Sequence, residues 1–444
     1  TGRLVKSGTG EWTVSGSSSF TGNAEIRDGT LLVRHARGLG STAGITYISN
    51  GASVAIASGV VVTGETARVS GPGADGIFGA LRGAGTGNNE WDGPVVITST
   101  GTRIGAETNA VLVLSGPISE ASPGTELTLR SAPGAVVALA NANNTWTGDS
   151  FLIGSGTTSV IRTDIDQAFP AASPIGIGNV VLDLNGHDLA CAGVFKGFVS
   201  AVDTQCLVEN DGAQPATLTL APAVSTTFPG TLRDGSSTLA LVVSGPATQT
   251  FTGTNTHTGP TVINGGTLAV MGLFGTSPVT IENGGTLSGT GLLRGTVAVL
   301  GGGTLSPAGS AIGQMRISNS LTMLPVSTTR VTVDKSTASS DRIKVFGTVV
   351  YGGVLAVTNL AGKLTLRQMA ALYARARVMI SGDTGPYHLA TAVGTPTVTF
   401  FAPRDPGSDV GACGPLFDTD RHVALRTSGF GRPVAEITPA QMAA

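Results

Sequence analysis

Between residues 261 and 307, apolar and polar positions alternate in short runs broken by glycines. The runs are TVINGGTLAV (261–270), VTIENGGTLSG (279–289) and VAVLGGGTLSP (297–307). Alternation of this kind puts Val, Leu and Ile on one face of a strand and Thr, Ser and Asn on the other. The glycines can take positive φ at the corners without a Cβ penalty. The steps Gly266, Thr267, Leu268, then Gly285, Thr286, Leu287, then Gly303, Thr304, Leu305 recur at 19 and then 18 residues. Weaker copies are IRDGTLLV (26–33), YISNGASVAI (47–56) and VVYGGVLAV (349–357). One such turn of chain cannot bury its apolar face alone and must stack on the next. The pattern predicts a mainly β fold, a parallel β-helix (β-solenoid) over residues 1–357. At roughly 20 residues per rung this is about 15 to 17 rungs. A β-sandwich array is the competing fold. It ranks below because the phase returns at rung spacing and not at hairpin spacing.

From about Asn359 the period changes from two to that of a helix. Thr365 and Gln368 have capping-box spacing. Leu366, Met369, Leu372, Tyr373 and Ala376 follow at helical intervals. VMIS (378–381) predicts a buried strand, and Asp383, Thr384 and Gly385 a turn. Pro386 suits the first helical position, and Gly394 is a natural stop for that helix. TVTFF (397–401) then predicts a second strand parallel to the first. Residues 358–444 are therefore expected to form a small α/β, Rossmann-like half-domain.

Composition narrows the picture. Charged residues are 12 % and aromatics 5 %, with 65 glycines lacking the every-third spacing of collagen. A disordered chain would be more charged and less apolar. A net charge of −2 gives no reason to expect nucleic acid as a partner. No apolar run is long enough for a transmembrane helix. The chain begins at Thr1, as a fragment or a mature form would. Cys191, Cys206 and Cys413 are too few for a disulfide framework; Cys191 and Cys206 either pair across one loop or remain thiols. His35, His187, His257, His388 and His422 are scattered without zinc spacing, so no metal or other resident cofactor is expected.

Candidate chemistry in the solenoid is sparse. Asp164, Asp166, Asp183 and Asp188 form the densest acidic stretch, and paired carboxylates can cleave sugars. DIDQAFP is loop-like, however, which favours solvated charges. Trp12, Trp91 and Trp146 are expected at matching places in three repeats, with packing favoured over sugar stacking. Asn50, Asn264 and Asn283 precede glycines and are expected to accept positive φ. Gly301, Gly302 and Gly303 are not a phosphate loop, since no Lys-Ser/Thr follows.

In the tail, a glycine turn opens a helix at the C-terminal end of a parallel strand, where α/β sheets bind phosphates. Backbone N–H groups of Thr384, Gly385 and the first helical turn would face an anion, with the helix dipole behind them. His388 could reach a second phosphate. Asp383 would cap the turn or meet a sugar hydroxyl. An ordinary capped β-α-β turn is the plainer reading of the same residues.

Two resemblances add to this. FTGTNTHTGPTVINGGTLAVMG (251–272) and VSGSSSFTGNAEIRDGTLLV (14–33) resemble the autotransporter-associated β-strand repeat of bacterial passengers. GNNEWDGPVVI (87–97), NNTWTGDSFLI (143–153) and LDLNGHDL (182–189) are similar, and residues 284–357 look like the stretch that precedes the outer-membrane barrel. The resemblance spans most of residues 8–357. It implies a secreted or cell-surface adhesin-type β-helix of a Gram-negative-type bacterium, with a surface glycan or protein as partner.

Residues 359–406 are similar to the C-terminal half-domain of the heptosyltransferases, glycosyltransferase family 9. The match is carried by Asp383, Thr384, Gly385 and Pro386 with His388, Leu389, Ala390 and Ala392; RPVAEITPAQMAA (432–444) looks like a family-type ending. In that family these residues meet the diphosphate of an ADP-sugar. The implied reaction is inverting transfer of heptose from ADP-heptose to lipopolysaccharide core, a cytoplasmic activity. The family's acceptor domain, with its catalytic carboxylate, has no counterpart in this chain. GVLAVTNLAGKL (353–364) marks the junction of the two patterns. Two functional readings follow: a surface passenger with an inactive transferase-like tail, or an ADP-sugar-binding transferase that uses the tail.

Overall fold

The computed structural model describes the chain apart from residues 1, 58, 198–205, 310, 335–338, 359–364, 377–378, 383–384, 402–421 and 427–444. It divides into two compact units, residues 1–332 with 340–357, and 333–339 with 358–444.

The first unit is the parallel β-solenoid. Its walls are sheets in which each strand pairs in parallel with its counterpart in the next rung. One wall has nine strands, from Glu11–Val14 to Val194–Lys196. A second has six, from Leu4–Lys6 to Ile118–Glu120. A third has eight, from Val61–Val62 to Thr231–Leu232. Three more sheets continue the coil towards residue 357. Thr226–Phe228 lies beside Val194–Lys196, and Thr254–Asn255 beside Thr231–Leu232.

The Gly-Thr-Leu phase is the register itself. Thr267, Thr286 and Thr304 pair across successive rungs, as do Leu268, Leu287 and Leu305. The three leucines are fully buried. In the nine-stranded wall, Leu31, Val54, Leu81, Ile104, Leu129, Leu152 and Ile177 make one inward column, each 0 % exposed. Further on, aromatic rings stack edge-to-face between rungs, Phe228 on Phe251 at 6.0 Å and Phe251 on Phe274 at 5.8 Å. Loops absorb the variation in rung length. Paired residues advance from Thr261 to Val279 in the tightest rungs and from Val54 to Leu81 where the loop at 70–80 intervenes.

The corners differ from expectation. Asn50 and Asn283 do not take positive φ; the following Gly51 (φ 85°) and Gly284 (φ 83°) do. After Asn264 it is Gly266, at φ 57°. The asparagines work between rungs instead. A Cβ on Gly71 or Gly302 would strike the Oδ1 of Asn50 or Asn283, so each side chain lies over a glycine of the next rung. A second set, Asn89, Asn144, Asn210 and Asn255, is buried and accepts from the backbone N–H of Gly59, Ile118, Gly186 and Leu232 in the preceding rung at 2.7–3.0 Å. These bonds satisfy donors that corners would otherwise leave bare.

In the second unit, Met379–Gly382, Thr397–Phe401 and His422–Arg426 form a three-stranded parallel sheet in that order. The third strand was not expected; HVALR has polar residues at both ends and only three apolar residues between them. Helix Leu366–Tyr373 has Thr365 as N-cap, with Gln368 N–H donating to Thr365 Oγ1 at 3.3 Å and Thr365 N–H to Gln368 Oε1 at 2.9 Å. It stops short of Ala376, whose N–H turns to the Tyr373 carbonyl.

Candidate functional site

The tail's helix Gly385–Ala392 follows strand Met379–Gly382 and leads to its parallel neighbour Thr397–Phe401. Gly394 ends it at φ 74°, with Thr395 N–H donating to the Ala390 carbonyl at 3.0 Å. Thr395 Oγ1 also donates to the Tyr373 carbonyl at 2.5 Å and ties the two helices together. Of the expected diphosphate-binding residues, Gly385 and Pro386 open the helix, and His388 lies exposed in its first turn. Asp383 and Thr384 lie outside the described residues, as does the ending at 432–444. Tyr387, 1 % exposed, and Ala390 anchor the helix, and the Tyr387 ring is 4.9 Å from that of His388. Backbone donors at such a helix start favour an anion.

The acidic stretch of the solenoid is occupied by structural work. Arg162 Nε donates to Asp164 Oδ1 at 2.6 Å, and Asn185 Nδ2 donates to the same oxygen at 3.0 Å. Asp166 accepts from Asp188 N–H at 3.0 Å and meets His187 Nδ1 at 3.2 Å. Asp188 accepts from Thr217 N–H at 2.7 Å. Asp183 accepts the N–H groups of Asn185 and Asp211, and burial pushes its carboxyl above the ordinary range. Asp164 and Asp166 follow strand Val160–Thr163 and do not share a strand face. Each carboxylate staples a turn to a neighbouring rung. Among the described residues no three His, Cys, Asp or Glu side chains are placed to hold a metal.

The three tryptophans do not sit at matching places. Trp12 belongs to the nine-stranded wall, Trp91 to the eight-stranded one, and Trp146 to the segment before strand Ser150–Ile153. Trp91 and Trp146 are core residues, and Trp146 Nε1 donates to Ser150 Oγ at 2.9 Å. Trp12 pairs with Leu31 of the inward column and is 48 % exposed. Cys191 is a free, buried thiol pushed up to about 12 by burial, so no disulfide joins it to Cys206. His257 is buried against Phe274, with Nε2 3.0 Å from Thr261 Oγ1, and burial pushes it down to about 4.

Sequence reasoning passed over Glu65, which is only 3 % exposed and lines a polar groove. Its Oε1 accepts from Thr46 Oγ1 at 2.6 Å, and burial pushes its carboxyl up. Nothing in the local sequence VTGETAR marks it, since glycine beside glutamate is ordinary loop composition.

Comparison with known proteins divides the chain in the same way. The passenger-associated-transport-repeat model matches residues 4–33 and 241–270. The glycosyltransferase family 9 (heptosyltransferase) model matches residues 349–428. The adhesin BmaC autotransporter of Brucella suis biovar 1 is 28 % identical over 205 residues, 42 % of this chain and 6 % of its own length. The lipopolysaccharide core heptosyltransferase OpsX of Haemophilus influenzae is 43 % identical over 84 residues, 18 % of this chain and 23 % of its own length. The chain thus spans under a quarter of the length of either relative. No solved structure matches. The family 9 match begins at residue 349, so it takes in the solenoid strands Val349–Tyr351 and Val354–Thr358. The chain carries autotransporter-type passenger repeats wound into a β-solenoid, followed by a C-terminal segment of the glycosyltransferase family 9 type.

Proposed function

We propose that the working part of this chain is the solenoid, as a secreted or cell-surface passenger of the structural or adhesive kind, and that the tail does not catalyse sugar transfer. The observation that carries the reading is the unbroken inter-rung register across the family of Gly-Thr-Leu steps, with the carboxylates of the acidic stretch engaged in stapling turns. Such a surface offers recognition and extension, with these carboxylates engaged in holding turns. A surface glycan or protein would be its partner. No helix among the described residues is long and apolar enough to cross a membrane. The test is antibody against residues 1–357 applied to intact cells of the source bacterium. Labelling of intact cells, removed by external protease, is expected. Labelling only after permeabilisation would overturn the reading.

One observation favours a second reading, in which the tail holds an ADP-sugar such as ADP-heptose. Helix Gly385–Ala392 opens after a parallel strand, and this segment shares 43 % identity with a heptosyltransferase. Asp383, Thr384, Gly385, Pro386 and His388 would be the contacts. Calorimetric titration of ADP into the whole chain decides between the two. The first reading expects no saturable heat from folded protein. The second expects heat that is lost in His388→Ala and Gly385→Val.

A further inference from the structure

The solenoid's third wall begins only at strand Val61–Val62. In the two rungs before it, residues 15–23 and 34–44 run as loops where wall strands would otherwise lie. Between these loops and the first strand is a groove of about 610 Å³. Ser17, Ser18, Ser41, Thr42, Arg37 and Glu65 line it.

The groove is built, and not merely a gap. Ser18 N–H donates to the Arg37 carbonyl at 2.9 Å, and Ser41 N–H donates to the Phe20 carbonyl at 2.9 Å. The two loops are therefore bonded to each other at two points beside the groove. Leu39, 3 % exposed, pins the outer loop into the core. Gly40 takes φ 93° directly over Phe20, where a Cβ would lie 2.6 Å from a ring carbon. On the floor, Glu65 is held by Thr46 Oγ1 at 2.6 Å. Burying a carboxylate costs free energy that one hydroxyl contact offsets only in part. Retaining it beside a cavity makes sense if a ligand supplies further donors.

The lining chemistry limits the ligand. Serine and threonine hydroxyls both donate and accept, Glu65 accepts, and Arg37 donates. The carboxylate disfavours a phosphate, and the hydroxyl lining disfavours an acyl chain. The two formal charges cancel. The volume lies within the range of small-ligand sites. We propose that this groove binds a neutral saccharide of one or two rings, through Glu65, Arg37 and the serine hydroxyls. The inference goes beyond the surface reading and does not depend on it.

The test is saturation-transfer NMR on the full chain with lactose, cellobiose, maltose and N,N′-diacetylchitobiose. Wild type is compared with Arg37→Ala, Ser41→Trp and Glu65→Gln, each checked by circular dichroism. At least one disaccharide should saturate, and its affinity should fall by about tenfold, a change of about 1.4 kcal/mol, in Arg37→Ala and in the groove-filling Ser41→Trp. Both substitutions lie on the loop, so they keep the test decisive if Glu65→Gln unfolds the corner. Failure of all four sugars to saturate, or equal binding by wild type and the two loop variants, would overturn the proposal. Antibody labelling of cells reads neither result, so this inference and the surface reading fail separately.

Discussion

The solenoid and the tail bury apolar side chains by opposite strategies. In the solenoid each inward residue meets its own counterpart in the rungs before and after it. Leu268, Leu287 and Leu305 are one example, and Phe228, Phe251 and Phe274 another. The core is a line of like on like, and each rung specifies it again. In the tail the helix Gly385–Ala392 packs on strands Met379–Gly382 and Thr397–Phe401 and on helix Leu366–Tyr373. Helix Leu366–Tyr373 has no fully buried residue, and Leu366 is 71 % exposed. Helix Gly385–Ala392 buries Tyr387 and Ala390. The difference teaches that local signals can be complete in both regions while their contributions to stability are not. A capping box defines a helix start as clearly as Gly-Thr-Leu defines a rung, yet only the second brings a buried column with it.

The sharpest way to break this comparison is to remove one side chain from each region. Phe251 is 0 % exposed and touches rings of both neighbouring rungs. Phe251→Ala should cost the solenoid about 3–5 kcal/mol, the range for an aromatic cavity in a packed core. Leu366→Ala should cost under about 0.5 kcal/mol, as exposed substitutions do. Denaturant unfolding, followed by β-sheet circular dichroism, measures both. Equal effects would mean that the solenoid core tolerates voids and that its column is not what stabilises it.

Next in size is a pH effect confined to the solenoid. His257 is fully buried, and its folded pKa is pushed down to about 4 from 6.5, mainly by desolvation. Between those values the unfolded state binds the extra proton and the folded state does not. The contribution is thus fully present above about pH 6.5 and is lost as the pH falls towards 4. Its full extent is on the order of 3 kcal/mol, taking 1.36 kcal/mol per unit. Melting temperature against pH should fall more steeply over this window in wild type than in His257→Gln. Parallel curves would show that the ring is protonated, or solvated, in the folded chain.

What could be read in the sequence follows the same division. The Gly-Thr-Leu phase was legible because identical residues must stack in register, so the repeat is the contact map. The walls were less so, since loops lengthen some rungs and hide the period, as between Val54 and Leu81. Asn89, Asn144, Asn210 and Asn255 were illegible: an asparagine that bridges rungs looks like one in any loop. Trp12, Trp91 and Trp146 misled because a likeness between repeat copies does not fix which wall a residue joins. In the tail, helix starts and stops were legible from Thr365 and Gly394, whereas strand His422–Arg426 lacked the apolar run that marked Thr397–Phe401. Glu65 could not be found, because its groove exists only where a wall is missing from two other rungs.

A local effect in the tail sharpens the comparison most. Thr365 accepts from Gln368 N–H, and Gln368 reaches back to Thr365 N–H, so two donors at one helix start depend on this pair. Thr365→Ala removes the hydroxyl and should destabilise that helix by about 1 kcal/mol. With no fully buried residue on the helix to compensate, the loss should stay local. Hydrogen exchange at residues 366–373 should then speed up by about fivefold, since 1.4 kcal/mol corresponds to tenfold. Amides of the Leu268, Leu287 and Leu305 column should not change. If those solenoid amides also exchange faster, the two regions share one cooperative unit, and stability in this chain is not partitioned as its two patterns of burial are.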